Sequence, residues 1–294
     1  MSASRRSVLF MPASNARALD KARTLPADGF IFDLEDAVAP EAKGTARDMA
    51  VAAARSRGYG RREVVIRANG LDTPWGLDDL DAIATSGAAA VLLPKVESPA
   101  AIAAALTALT ARGAPEAMAV WCMLETPRGI LAAESIAGAN PRVAVLVMGT
   151  SDLTAELGAR ATPDRRPLAA SLGLSVLAAR AHGKAILDGV HLDLDDEEGF
   201  LLACRQARDM GLDGKTLIHP KQIAGANAAF APSADEIARA RRVIDAHAAA
   251  VAQGRGVAVL DGRLVENLHA AEARRVLAVA DAVASPDAVA ANDA

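Results

Sequence analysis

Aromatic rings are scarce in this chain: Phe, Tyr and Trp together make up 3% of its 294 residues. Proteins that hold single-stranded nucleic acid stack bases on aromatic platforms, and there are too few rings here to build one. Cysteine is nearly absent. Cys122 and Cys204 stand far apart with no CxxC arrangement, which excludes a disulfide framework and a thiolate zinc site and fits a reducing cytoplasm. Long hydrophobic runs are missing too. MSASRR passes straight into SVLFMP, too short an apolar stretch for a signal peptide, and no run approaches a membrane span, so a cytoplasmic chain without a membrane partner is expected. Charge of one sign is also lacking. The 32 basic and 36 acidic residues are interspersed, the net charge is -4, and no Lys/Arg run forms a footprint for DNA or RNA. Arg5-Arg6 and Arg61-Arg62 are isolated pairs, expected to be solvated surface charge.

What is present is aliphatic. Apolar residues make up 52% of the chain, and alanine is abundant, so a large core of Val, Leu, Ile and Ala is available. Short β-branched runs alternate with Ala-rich segments of helical period. Strands are expected over residues 7–12, 29–35, 63–69, 90–96, 119–125, 143–148, 185–190 and 215–219. Helix signals lie between them, as in Ser98-Pro99 before IAAALTALTAR and Gly113 after it. Eight βα units favour an α/β fold of the TIM (β/α)₈ class over an open doubly wound sheet. Residues 1–230 are assigned to the barrel. Residues 231–294 are assigned to a C-terminal helical extension or lid within the same domain unit: a long helix from Ser233 to Gln253, the glycine-punctuated stretch GVAVLDG, a final helix, and a frayed end SPDAVAANDA.

In a parallel barrel the chemistry sits at the carboxyl ends of the strands. Those ends carry Asp33, Glu35 and Asp36 (FDLEDA), Arg67 and Asn69 (IRANG), Lys95 and Glu97 (LPKVES), Glu125 (MLETPRG), Asp152 (MGTSDL), Asp188 (LDGV) and His219 (GKTLIHP). Charges on so many successive strands are expected to converge on one mouth. Glu125 and Asp152 follow adjacent strands with no basic neighbour in sequence, so bringing them together requires a cation. Magnesium suits hard carboxylate oxygens and leaves positions for water and substrate. Arg67 reads either as a fork for a substrate carboxylate or thioester oxygen, or as the partner of a strand-two carboxylate. Lys95 reads as a Schiff-base nucleophile or as an ammonium held by Asp33, Glu35 and Asp36. His219 is a substrate contact or a satisfied structural histidine. His182, His191, His247 and His269 show no ligating pattern.

These motifs, taken in order from RSVLFMPASN through FDLEDAV, IRANGLDTPWG, LLPKVES, MLETPRGI, MGTSDLTAELG and GLDGKTLIHPKQI to GVAVLDGRLVENLHAAEARRVL, resemble the citrate lyase β-subunit-like group of CoA-ester lyases, within the aldolase and citrate lyase superfamily of TIM barrels. The resemblance covers nearly the whole chain. It implies Mg²⁺ held by Glu125 and Asp152, with Arg67 holding substrate beside it; the strand-end positions of Asp33, Glu35, Asp36 and Lys95 put them around these three. It implies a CoA thioester substrate touched by Phe10, Lys21, Ser151, Asp152, Ile218 and His219, although Asn15 stands where malyl-CoA lyases carry arginine. The family's tail gives an aspartate to a neighbouring subunit, so a homo-oligomer, trimer or hexamer, is implied. Here the matching carboxylate is Glu266, one methylene longer, assigned to acid-base work; a first-turn helix glutamate is the competing reading. The implied reaction is reversible cleavage of a β-hydroxyacyl-CoA, of the malyl-CoA or citramalyl-CoA type, to acetyl-CoA and a 2-oxo acid. The VENLH ending also resembles (3S)-malyl-CoA thioesterases, so hydrolysis to malate and CoA is the alternative. A non-catalytic accessory subunit is the third reading.

Overall fold

The computed structural model describes residues 4–284, and the SPDAVAANDA end lies outside them. Eight parallel strands close into a barrel in sequence order: β1 Ser7–Pro12, β2 Gly29–Asp33, β3 Glu63–Arg67, β4 Ala90–Leu93, β5 Ala119–Leu124, β6 Val143–Met148, β7 Ala185–Asp188 and β8 Gly214–Leu217. β8 returns to β1, with Val8 opposite Thr216. The expected TIM-barrel class is what the chain forms.

Alternation of side chains along each strand divides the core into two. Val8, Ile31, Val65, Trp121, Met123 and Val147 fill the barrel, while their neighbours Leu9, Phe30, Ile66, Cys122 and Met148 face the surrounding helices. Few rings are needed because alanine-rich helices, such as Pro99–Ala111 with Ser98 capping and a proline in its first turn, lie on the aliphatic outer face.

Several strands stop two residues or more before the sequence pattern does. Past Asp33, the Asp33 carboxylate accepts from the N–H groups of Glu35 and Ala37 at 2.9 and 3.1 Å, turning the chain away from the ladder. Past Leu93, Lys95 adopts a left-handed backbone at φ 45°. Side-chain-to-backbone bonds of this kind compete with sheet pairing and end it.

Of the arginines expected to be plain surface charge, Arg61 is exposed, whereas Arg5, Arg6 and Arg62 are structural. Arg5 closes a bidentate pair with Glu63 and lies over Trp121, and Arg6 does the same with Asp28. Arg62 donates to the carbonyls of Tyr59, Ala22, Leu25 and Arg23. Their guanidinium groups satisfy backbone oxygens and carboxylates that would otherwise be half-buried without donors.

Residues Arg5–Phe230 make one compact unit and the chain from Ala231 makes a second. In the second, Ser233 and Glu236 form a capping box on the helix Ala234–Ala252. Short strands β9 Ala258–Leu260 and β10 Arg263–Val265 pair antiparallel through Asp261 and Gly262, both at positive φ as a two-residue hairpin turn requires. The helix Asn267–Ala284 follows, and Val243, Ala250, Val265 and Ala273 form this unit's own small core. Among the described residues no helix is long and apolar enough to cross a membrane.

Candidate active site

Phe10, Asp33, Arg67 and Glu125 each stand two residues beyond a barrel-filling side chain, Val8, Ile31, Val65 and Met123 respectively. The two-residue period therefore aims all four at the barrel axis, at its carboxyl end. Asp33 and Arg67 are direct partners in the β2–β3 register. Arg67 Nε and Nη2 each donate to Asp33 at 2.6 Å. Arg67 Nη1 lies 2.6 Å from Glu35 and 3.4 Å from Asp36, and the guanidinium stacks 5.0 Å above the ring of Phe10. With Arg67 only 6% exposed, these carboxylates outweigh its burial and keep it firmly protonated. Of the two readings of Arg67, the salt bridge to strand two is the one its side chain adopts.

Glu35 is held less completely. Its Oε2 is close to Arg67 but has no hydrogen bond, and burial raises its pKa against the pull of Arg67. Lys95 Nζ approaches Glu35 Oε1 only to 3.6 Å, and the Lys95 side chain is half exposed. The ammonium is thus loosely tethered rather than gripped by the three carboxylates of strand two. Facing Glu35, Glu125, Asp36 and Asp152, it has a raised pKa despite some desolvation. A raised pKa disfavours the neutral amine that a Schiff-base nucleophile needs.

Glu125 is 1% exposed. One oxygen, Oε1, accepts from the backbone N–H of Lys95 at 2.7 Å, a bond made possible by the left-handed turn at Lys95. The other, Oε2, passes over Gly149, where an added Cβ would come within 2.5 Å of it. Burial raises the Glu125 pKa to about 7; the Lys95 N–H opposes the rise, and Glu35 and Asp152 add to it. Asp152 sits in the first turn of the helix Thr150–Glu156, immediately past β6, and Ser151 beside it is exposed.

A buried carboxylate with one oxygen fixed and one open, next to a second carboxylate and against a glycine cradle, fits a hard divalent cation. Among the described residues no group of three or more His, Cys, Asp or Glu side chains is placed to hold a metal. A cation here would therefore have two protein oxygens and leave its other positions to water and substrate, which suits Mg²⁺ and not structural zinc.

Other expected residues play different parts. Asp188 follows the barrel-filling Leu187 and so turns outward, where Arg165 and Lys215 pair with it at 2.8 and 2.6 Å. It does not converge on the mouth, because alternation puts it on the helix side of the sheet. Glu97 pairs instead with exposed Arg128 at 3.6 Å. Asn69 is committed to Asp79, the Leu34 carbonyl and Lys43. His219 accepts from the Lys221 N–H through Nδ1 and caps a short turn, and the Ile218 N–H donates to Gln222. Lys21 is exposed near the end of the helix Ala16–Ala22, whose N-cap is Asn15, accepting from the Ala18 N–H. Glu266 belongs to the second unit, directly before the helix Asn267–Ala284, where its N–H donates to His269 Nδ1.

Lys43 is a site residue that the sequence does not reveal. Its buried ammonium donates to the carbonyls of Leu34 and Glu35 and to Asn69 Oδ1, at 2.7 to 2.8 Å, pinning the loop that carries Glu35. Nothing in PEAKGTAR distinguishes it from a surface lysine, since only the fold buries it.

The chain is 52% identical over 280 residues to a (3S)-malyl-CoA thioesterase of Cereibacter sphaeroides (strain KD131 / KCTC 12085), covering 95% of this chain and 96% of the relative. It is 36% identical to the citrate lyase subunit beta of Escherichia coli (strain K12), covering 94% and 93%. The protein CitE from Mycobacterium tuberculosis, solved in complex with magnesium, acetoacetate and coenzyme A, superposes with a TM-score of 0.75 at 33% identity, covering 94% of this chain and 97% of that one. With the family model for HpcH/HpaI aldolase/citrate lyase matching residues 6–220, this chain belongs to that family.

Proposed function

We propose that this protein is a magnesium-dependent (3S)-malyl-CoA thioesterase, releasing malate and free CoA. From the motifs alone, carbon-carbon cleavage stands first and hydrolysis second. The near full-length similarity to the Cereibacter sphaeroides thioesterases reverses that order, and it is the observation that carries the choice.

Glu125 and Asp152 would hold the metal, with Glu125 oriented by the Lys95 N–H and given room by Gly149. Bound there, Mg²⁺ supplies positive charge against the oxygens of the acyl chain. Arg67, locked by Asp33 and stacked on Phe10, is a fixed wall of the acyl pocket. Glu35 and Asp36 hold Arg67 from the other side. The CoA moiety is assigned to the rim that includes Lys21, Ser151, Ile218 and His219, where Ile218 contributes its exposed side chain since its N–H is taken.

Hydrolysis needs a base for water. Glu266 is assigned that role: it is half-buried at the start of the last helix and makes no ion pair among the described residues. Its carboxylate takes a proton from the attacking water, the water oxygen bonds to the thioester carbon, the C–S bond breaks, and the proton finishes on the departing CoA thiolate. The protein works as a homo-oligomer in this reading.

Purified protein incubated with (3S)-malyl-CoA and Mg²⁺ separates the reactions by their products. Malate and free CoA are expected. Acetyl-CoA and glyoxylate as the main products would overturn hydrolysis in favour of cleavage, and no turnover would overturn both.

A further inference from the structure

The mouth of the barrel is strongly acidic for a site that takes an anionic acyl chain. Asp33, Glu35, Asp36, Glu125 and Asp152 act on one another or on the same cations there. Against them stand Lys43, Arg67 and Lys95, and the buried Lys43 ammonium is already spent on the carbonyls of Leu34 and Glu35 and on Asn69. Arg67 is nearly spent: Nε and Nη2 bind Asp33, Nη1 faces Glu35 and Asp36, and the plane is covered by Phe10. Its charge is balanced before substrate arrives, and burial at 6% exposure leaves it no freedom to turn toward a ligand.

Lys95 is in the opposite condition. Its backbone is fixed at φ 45° by the job of donating to Glu125 Oε1, which roots the side chain next to the proposed metal ligands. Its side chain is 50% exposed, and its one ion pair, with Glu35 Oε1, is 3.6 Å long. At that length the ammonium keeps its three donors available to a better acceptor.

We infer that Lys95 is a specificity-determining residue whose ammonium binds the free carboxylate of the acyl chain. The assignment rests on the malyl-CoA reading above and transfers anion recognition from Arg67, where the sequence placed it, to Lys95. A carboxylate arriving within about 2.8 Å would replace the long Glu35 contact by a charge-assisted hydrogen bond. Substrates without that carboxylate would leave Lys95 facing only carboxylates of the protein and gain nothing from it.

The test uses the magnesium-loaded full chain and two variants, Lys95→Gln and Lys95→Gly. The glycine variant keeps the N–H that holds Glu125 and favours the left-handed backbone, so it removes the ammonium without disturbing the turn. Calorimetric titration with malate and, separately, with free CoA gives a readout independent of turnover. Malate affinity is expected to fall at least tenfold in both variants while CoA affinity changes less than twofold. KM for malyl-CoA should rise by a similar factor with kcat within about threefold of the parent. Unchanged malate affinity in the glycine variant, equal losses for malate and CoA, or no malate binding by the parent would each overturn the assignment. Turnover of malyl-CoA by the parent tests the underlying reading, so the two can fail separately.

Discussion

Asp33 and Arg67 are register partners on adjacent parallel strands, and their side chains meet in a doubly hydrogen-bonded pair with both contacts at 2.6 Å. Both are almost completely buried, Asp33 at 2% exposure and Arg67 at 6%. Removing Asp33 therefore takes both short hydrogen bonds from a buried guanidinium and leaves it only Glu35 and Asp36. Asp33→Ala is expected to destabilise the protein by about 3–5 kcal/mol, read by denaturant unfolding. The double replacement Asp33→Leu with Arg67→Met should recover most of that stability while leaving no activity. Equal destabilisation by the double variant would show that the pair contributes more than charge balance.

Asp152→Ala removes one of the two proposed metal ligands from a short helix at the surface of the mouth. Turnover should be abolished and Mg²⁺ affinity should drop at least tenfold by calorimetry, with the melting temperature of the metal-free protein little changed. Parent-like activity would refute the metal assignment.

Magnesium binding should depend on pH through Glu125, whose pKa burial raises to about 7. The cation needs the ionised carboxylate, so affinity should be flat above that value and fall roughly tenfold per pH unit below it, with proton release on binding. The raised value also has a sign for stability. The folded metal-free protein holds the Glu125 proton to higher pH than the unfolded chain, so this group's contribution to stability is lost as pH rises through the window up to about 7. Magnesium should abolish that loss. Calorimetry in buffers of different ionisation enthalpy, and melting curves with and without Mg²⁺, check both.

Gly149→Ala places a methyl group where the Glu125 carboxylate lies, within 2.5 Å of Oε2. Glu125 must then swing off its bond to Lys95 or the turn after β6 must open. A loss of at least tenfold in both Mg²⁺ affinity and kcat/KM is expected, without loss of the folded state.

Glu266→Ala should reduce hydrolysis by roughly 10²- to 10⁴-fold, the range for a lost general base, and leave Mg²⁺ affinity nearly unchanged. Mixing it with an inactive Arg67→Ala variant under subunit exchange should restore some activity if the tail serves a neighbouring subunit. No recovery despite demonstrated exchange would place Glu266 in its own subunit's reaction or outside the reaction altogether.

The barrel was legible because its signal is local: β-branched runs, capping hydroxyls, first-turn prolines and closing glycines each act over a few residues. The eight strands lie where those runs lie, shortened at the carboxyl ends because Asp33 and Lys95 turn the backbone out of the ladder. The family was legible for the same reason, as motifs such as FDLEDA and MGTSDL are contiguous. Facing direction was less so. Asp33 and Asp188 both end strands, yet one points into the barrel and the other under a helix, and only the parity set by Ile31 and Leu187 tells them apart. Burial of charge was invisible. Lys43 and Arg62 look like solvent-facing residues until the fold surrounds them with carbonyl groups. The division of labour between Arg67 and Lys95 could not be read either, since it depends on which cation is already consumed by its neighbours.

The two-residue period that aims Asp33 and Arg67 inward also makes them a check on assembly. A slip of β3 against β2 by a single residue would turn one partner outward while the other stayed in the barrel, stranding an uncompensated charge. Such a misaligned barrel carries a penalty that a purely aliphatic interior would not impose. The residues of the proposed acyl pocket thus reject barrels closed in the wrong register, and a molecule that has passed this proofreading has that wall already in place.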